Sequence, residues 1–365
     1  MKALVLAGGS GTRLRPITYT SAKQLVPLGN KPILFYGLEA IAAAGIREVG
    51  IIVGDTHADI EAAVGDGSAL GIDVTYIQQD APRGLAHAVL IARDFLGDDP
   101  FVMYLGDNFV VGGITEFVQE FSAGGPDALF EHDPVNALVL LTRVDEPENF
   151  GVAELAADGT LVRLVEKPKD PPSNLALVGV YMFDRHIHEA VRAIEPSPRG
   201  ELEITDAIQW LVEQGYTVRP HELTTPWIDT GKRQDLLEAN RIALDFIEAD
   251  TANADIDAAS RIDGRVVLGD GVKVVGSVVR GPVVIGAGTR IEDSYVGPFT
   301  SIGDECVVLD SEVEHSVLLD GVQVEGMRRV ADSLVGRNVK LVRADFQPRS
   351  YRFLIGDDSE VRFPT

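Results

Sequence analysis

Residues 4–16 read LVLAGGSGTRLRP, an apolar run that ends in Gly8, Gly9 and Gly11 and is followed by Arg13, Arg15 and, further on, Lys23. Glycines let backbone N–H groups converge on phosphate oxygens, and basic side chains then neutralise the charge. The spacing speaks against two other phosphate loops. A dinucleotide fold needs G-x-G-x-x-G and an acidic residue about 20 positions on, but Leu14 stands where the third glycine belongs and the matching region offers Asn30 and Lys31. An ATPase loop needs G-x-x-x-x-G-K-[ST], and the segment does not supply it. Taken alone, the segment also reads as a glycine turn with surface arginines.

A chain of 365 residues, 45% hydrophobic and 24% charged, has material for two globular domains. Its net charge of -24 argues against nucleic acid or an anionic membrane as a partner. An anionic substrate must then be held by a local basic cluster or a metal ion. Cys306 is the only cysteine, which excludes an intramolecular disulfide and a cysteine-based zinc site. The apolar run at 3–7 is too short for a signal peptide, and no stretch is long enough to span a bilayer. A soluble, cytoplasmic setting is expected.

Up to residue 245, apolar runs alternate with amphipathic stretches, the pattern of an α/β domain. Strands are expected at 3–7, 49–53, 74–78, 101–105, 137–142, 161–165 and 177–183. Helices are expected at 33–44, 59–64, 86–95, 188–193 and 204–214. The acidic, alanine-rich stretch 246–260 reads as a linker helix. Beyond it the sequence repeats: Gly269, Gly286 and Gly303 lie 17 apart, as do Ser277, Ser294 and Ser311, and later Ser316 and Ser333. Aliphatic residues from Leu268 to Val313 recur every five or six positions, too widely for a helix. Short strands turning a corner at each step, three to a coil, fit a parallel β-helix over 261–345, followed by a tail at 346–365. A loose antiparallel β-domain is the alternative, although only stacking demands a fixed coil length.

The strings AGGSGTRLRPIT and KQLVPLGNKP resemble the signature of the sugar nucleotidyltransferases. Within them the chain looks most like the long form of the glucose-1-phosphate thymidylyltransferases, found in antibiotic and deoxysugar pathways. The resemblance covers essentially the whole chain. It implies a Rossmann-like domain with a mixed, mostly parallel sheet over 1–245, followed by a left-handed parallel β-helix. It also implies transfer of a nucleotidyl group from dTTP to glucose 1-phosphate with Mg²⁺, in a homo-oligomer.

Carried over by position, the resemblance gives the backbone at Leu6, Gly8 and Gly9 to the nucleoside, and Gly11 and Arg13 to the triphosphate. Lys23 would sit beside the sugar phosphate and the α-phosphate. Gln79, five residues before Gly84, would read the pyrimidine edge. Asp107 of LGDN and Asp229 of WIDTG would be the metal ligands. Gly151, Glu166, Lys167 and Leu177 would form the sugar-phosphate pocket. Physical chemistry supports these roles unevenly. Asp107 follows the apolar run FVMYLG, and α/β sheets place ligands at strand C-termini. Two carboxylates from distant strands suit a hard cation whose other ligands are phosphate and water. Alone, either aspartate reads equally as a cap or turn residue, and Glu166-Lys167 as an exposed ion pair. An anionic phosphate oxygen needs no general base to attack the α-phosphorus, which leaves positioning and charge neutralisation to Arg13, Lys23 and the metal.

Two departures bear on specificity. The segment after the base-contacting loop reads GLAHA rather than the GLAQA common in thymidylyltransferases, and Leu177-Val178 stands where the short enzymes usually have Val-Thr. His87 reads as a helix-start or packing residue, and uridylyl transfer stays open as the alternative activity. His57, His132, His186, His188 and His221 show no metal-ligand spacing. Acyl transfer by the β-helix would rest on His315, for which the sequence suggests no acidic partner. A non-catalytic assembly subunit is the remaining alternative, against which Arg13, Lys23, Asp107 and Asp229 stand.

Overall fold

A computed structural model describes residues 1–9, 11–19, 21–123, 135–343 and 355–362. His132 and most of the expected tail, 346–354 and 363–365, lie outside them. The chain divides into two compact units: Met1–Ser10 with Ile33–Asp229, and Gly11–Pro32 with Thr230–Thr365.

The first unit is built on a nine-stranded sheet. Lys2–Leu6 runs parallel to Phe101–Leu105 on one side and to Glu48–Val53 on the other, and Asp73–Gln78 extends the latter edge. Ala3, Leu4 and Val5 are wholly buried, as central parallel strands covered on both faces must be. Leu175–Phe183 runs antiparallel to Phe101–Leu105 and turns the sheet mixed. It also pairs with Ala137–Arg143 and touches Gly151–Leu155 at Ala176, with a register shift between Leu177 and Tyr181. Leu161–Glu166 closes one edge, and Val218–Glu222 pairs with Ala137–Arg143. Helices Leu85–Ile91, Ile187–Ala193 and Ile204–Glu213 contribute Ala86, Val89, Ala190, Ile208 and Leu211 to a core shared with Leu4, Phe101 and Met103.

The expected strands and helices are present, with ends shifted by a few residues. The helix expected over 86–95 divides at Ala92 into Leu85–Ile91 and Arg93–Leu96. The sequence reading missed Gly151–Leu155, Val218–Glu222, the helix Thr115–Ala123 and a small ladder of Asn108–Val110 with Trp227–Asp229.

In the second unit, helix Arg233–Asp245 is followed by the β-helix. Three parallel sheets of six, five and five strands stack coil upon coil, the left-handed parallel β-helix expected. The stretch 246–260 is not a helix. Its alanines favour one, but Asp250 N–H donates to Val266 O (2.9 Å), and Asp255–Ile256 already pairs with Lys273–Val275. Pairing with the coil outweighs local propensity. Val274, Val279, Ile291, Val296, Ile302, Val308 and Val313 are buried inside the coils. At the corners, a Cβ on Gly269 or Gly286 would stand 2.7 Å from Ala287 N or 2.5 Å from Gly303 C, distances only glycine avoids.

The serine period has its own cause. The Ser277 hydroxyl accepts the Ser294 N–H (3.0 Å) and donates to Val275 O (2.7 Å), and Ser294 Oγ accepts the Ser311 N–H (3.1 Å). Each hydroxyl satisfies a buried corner amide one coil on.

The same unit holds the segment Gly11–Pro32. Buried Asn240 accepts the Gly29 N–H (2.9 Å) and the Ser301 hydroxyl (2.7 Å), and the Asn30 amide donates to Ile302 O (2.6 Å). No described helix is long and apolar enough to cross a membrane.

Candidate active site

The strand Lys2–Leu6 delivers the glycine loop. Leu6 O accepts the Gly106 N–H (2.9 Å), which ties the loop's root to the LGDN turn, and Ala7 N–H donates to Ile52 O (2.8 Å). Gly8 and Gly54 approach backbone to backbone, since a Cβ on Gly54 would lie 3.0 Å from Gly8 O. Gly9 is exposed. Gly11, Arg13 and Lys23 belong to the second unit. Gly11 has φ 61, and a Cβ there would stand 2.9 Å from Lys23 Cβ and 3.1 Å from Thr18 Cγ2. Glycine is therefore what lets Lys23, itself buried, lie against the loop. Arg13 is exposed on the short 3-10 turn Thr12–Leu14, and the Arg15 guanidinium lies 4.9 Å from the Tyr19 ring centre.

At the end of the strand Asp73–Gln78, Gln79 N–H donates to Val53 O (2.8 Å). Its side-chain Nε2 lies 3.0 Å from His87 Nδ1 and 3.5 Å from Gly84 O. Gly84, at φ 99, has no room for a side chain: a Cβ would meet Leu202 O at 2.3 Å. His87 thus does more than pack at a helix start. Its pKa is held below the ordinary value first by burial and then by Arg83, with Asp80 opposing.

Asp107 and Asp229 come together through the small antiparallel ladder, in which Asp229 stands opposite Asn108. Asn108 is buried and bonds through both ends of its amide. Nδ2 donates to Asp107 Oδ1 (3.0 Å), while Oδ1 accepts the Gly179 N–H (3.1 Å) and the Trp227 Nε1–H (2.6 Å). Gly179 lies in the register shift of Leu175–Phe183, where its amide turns from the ladder to Asn108. A Cβ on Gly179 would fall 2.5 Å from Asn108 Oδ1.

Two residues back along that strand, Leu177 meets the expected sugar-phosphate residues. Gly151 pairs with Glu166, and a Cβ on Gly151 would lie 2.6 Å from Thr205 Cγ2, 3.0 Å from Leu177 Cδ1 and 3.2 Å from Glu166 Oε2. Lys167, at φ 42, places Nζ 3.4 Å from Glu166 Oε1. The sequence reading missed Arg199, which pairs with Glu166 (3.5 Å), Glu203 (3.3 Å) and Glu201 (2.5 Å). It also missed Thr205, whose hydroxyl lies 3.4 Å from Glu166 Oε2. Burial holds the Glu203 carboxyl above its ordinary range, against a hydrogen bond from Ser197 that pulls it down. The run RGELEIT, mixed charge immediately before a helix, was the available signal.

His315 does have an acidic partner: Asp332, one coil on, lies 2.5 Å from its Nδ1. The pair is solvent-facing, with the Asp332 side chain 77% exposed. Cys306 is buried, and burial first of all pushes its thiol up to about 11, leaving little thiolate.

Residues 2–245 match the family model described as nucleotidyl transferase. A glucose-1-phosphate thymidylyltransferase of Streptomyces griseus is 57% identical over 362 residues, 99% of each chain. One of Streptomyces antibioticus is 56% identical over 361 residues, again 99% of each. Among solved structures, a Bacillus anthracis protein in complex with sucrose, provisionally assigned the same activity, superposes with a TM-score of 0.62 at 35% identity. That match covers 68% of this chain and 98% of the other. With the family model matching the whole span 2–245 and full-length relatives at 57% and 56% identity, the chain belongs to the nucleotidyl transferase family.

Proposed function

We propose that this chain transfers a thymidylyl group from dTTP to glucose 1-phosphate, giving dTDP-glucose and pyrophosphate. The observation that carries the reading is the run of contacts from Asp229 and Asp107 through Asn108 and Gly179 to Leu177, Gly151 and Glu166. It sets a pair of hard oxygen donors beside the residues expected to hold a sugar phosphate. The full-length relatives of that activity support the choice of substrates.

An anionic oxygen of glucose 1-phosphate attacks the α-phosphorus of dTTP, a new P–O bond forms, and the bond to the departing pyrophosphate breaks. The attacking oxygen carries its own charge and needs no base. Gly8 and Gly9 present backbone to the nucleoside, Gln79 reads the base beside Gly84, and Arg13 and Lys23 neutralise the triphosphate. Lys167 and Arg199 offer cations to the sugar phosphate, while Glu166 accepts from sugar hydroxyls. Asp107 and Asp229 would be the residues to hold a hard divalent ion, whose preference is for carboxylate oxygens. Mg²⁺, when bound, supplies charge neutralisation at the phosphates. Arg13, Lys23 and that ion act locally, which reconciles an anionic substrate with the acidic exterior.

The β-helix would serve assembly into a homo-oligomer, since a solenoid's open ends need covering. A single buried thiol fits a cytoplasmic setting. The test is pyrophosphate release across dTTP, UTP, CTP, ATP and GTP against several hexose 1-phosphates, with and without Mg²⁺. The reading predicts dTTP with glucose 1-phosphate as the best pair and loss of release under chelation. A higher kcat/KM with UTP would replace it with uridylyl transfer.

A further inference from the structure

The contact between Gln79 and His87 bears on which base is chosen, and its interpretation rests on the proposed assignment of Gln79 to the base. A carboxamide offers a donor on one side and an acceptor on the other, and its two orientations have nearly the same shape. Gln79 in isolation would serve either kind of base. Two neighbours remove the choice. Gly84 O, which can only accept, lies 3.5 Å from Nε2, and His87 Nδ1 lies 3.0 Å from the same nitrogen. Both Nε2 hydrogens are thereby directed into the protein. Oε1 is left on the Gly8 side, 3.7 Å from where a Cβ on Gly8 would stand. For His87 to accept, Nδ1 must carry a lone pair, which makes the ring neutral and protonated at Nε2.

We infer that His87 is a positioning residue for base selection: its unprotonated Nδ1 holds the Gln79 carboxamide with the oxygen toward the nucleobase. A base with an imide N–H, thymine or uracil, is then accepted. Cytosine, whose corresponding nitrogen is an acceptor, meets an oxygen and is rejected. Burial and Arg83 keep the ring neutral. Asp80, which favours the charged ring, is itself paired with Arg83 at 2.6 Å. A protonated His87 would donate from Nδ1, turn Oε1 toward itself and offer Nε2 to the base. Selection against cytosine is therefore present above the pKa of His87 and lost as pH falls through it.

The experiment compares dTTP, UTP and CTP with glucose 1-phosphate, by pyrophosphate release, for the unmodified chain, His87→Leu, His87→Gln and Gln79→Leu. His87→Leu should lower the dTTP-to-CTP ratio of kcat/KM on the order of tenfold or more. The dTTP-to-UTP ratio and the KM for glucose 1-phosphate should hold. His87→Gln, whose side-chain oxygen can accept, should restore selectivity. In the unmodified chain the same ratio should hold above about pH 6.5 and fall as pH drops below it, since the ring's pKa lies under its ordinary value, which tests the inference even where His87→Leu fails to fold. An unchanged ratio in folded His87→Leu, a loss that His87→Gln does not repair, or a ratio flat with pH overturns it. Gln79→Leu separates the two layers. If it leaves the ratio intact, the assignment of Gln79 fails and takes the inference with it. If it abolishes the ratio while His87→Leu preserves it, only the role of His87 falls.

Discussion

Replacing Asn108 with alanine should damage stability and chemistry together, by amounts the geometry sets. The substitution removes the acceptor of the Gly179 N–H and the Trp227 Nε1–H, and the donor to Asp107. Each buried donor left without a partner costs about 1–3 kcal/mol. Gly179 is buried, whereas Trp227 is half-buried and can recover part of its loss from water. The sum is about 2–4 kcal/mol, and at about 2–4 °C per kcal/mol for a unit of this size calorimetry should show Tm falling by about 5–15 °C. Asp107 also loses the group that orients it, and outer-partner losses of this kind weaken metal sites about 10–100-fold. A Mg²⁺ titration of pyrophosphate release should shift accordingly. Asn108→Asp keeps the oxygen that accepts both donors but replaces the donor with a second negative charge, so it should perturb the Mg²⁺ dependence more than the Tm. An Asn108→Ala protein that melts within about 2 °C of the parent with an unshifted Mg²⁺ titration would refute the reasoning.

Gly151→Ala forces a methyl to within 2.6 Å of Thr205 Cγ2 and 3.2 Å of Glu166 Oε2. At about 1–3 kcal/mol of strain, KM for glucose 1-phosphate should rise about tenfold or more while KM for dTTP holds, and an equal rise in both would contradict the pocket assignment. Asn240→Ala orphans the Gly29 amide and the Ser301 hydroxyl and should loosen the segment that carries Lys23, lowering kcat at temperatures where circular dichroism shows the chain still folded; undiminished turnover would count against it. His188 is buried against Phe101, and burial, then Arg93, lower its pKa below 6.5. The unfolded chain takes up that proton more readily, so stability is complete above 6.5 and declines as pH falls beneath it, by up to about 1.4 kcal/mol per pH unit. His188→Leu should flatten this acid limb in pH-dependent melting, and an unaltered slope would show that the ring does not contribute.

What the sequence displayed and what it concealed divide along a physical line. The β-helix was legible because stacking imposes one coil length on every column, so Gly269, Gly286 and Gly303 mark it without any knowledge of partners. Gly8, Gly11 and Gly84 were legible because a close approach or a positive φ leaves glycine as its trace. Asn108 and Thr205 were not, since Gly179, Trp227 and Glu166 reach them from distant strands, and of Arg199 the run RGELEIT showed only the local charges, not the contact with Glu166. His87 looked like a packing residue because its partner, Gln79, lies across a turn rather than on the same helix face. Residues 246–260 misled by composition: alanine speaks to local preference, and the backbone of Asp250 and Asp255 is committed to the coil. The segment 11–32 gave no sign that it would join the second unit, because its ties, Gly29 with Asn240 and Asn30 with Ile302, are far apart in sequence.

That membership has a consequence for how the molecule opens. Proteins lose structure locally in cooperative blocks, and a segment exchanges its amide hydrogens at the rate of the block it belongs to. The amides of Leu14, Leu25 and Val26, bonded to Gly11 O, Ala22 O and Lys23 O, should then exchange with the β-helix coils and not with the sheet that precedes them in sequence. The segment proposed to meet the triphosphate would draw its rigidity from the solenoid, and loosening the coils near Phe299 and Ile302 would reach it before the sheet had begun to unfold.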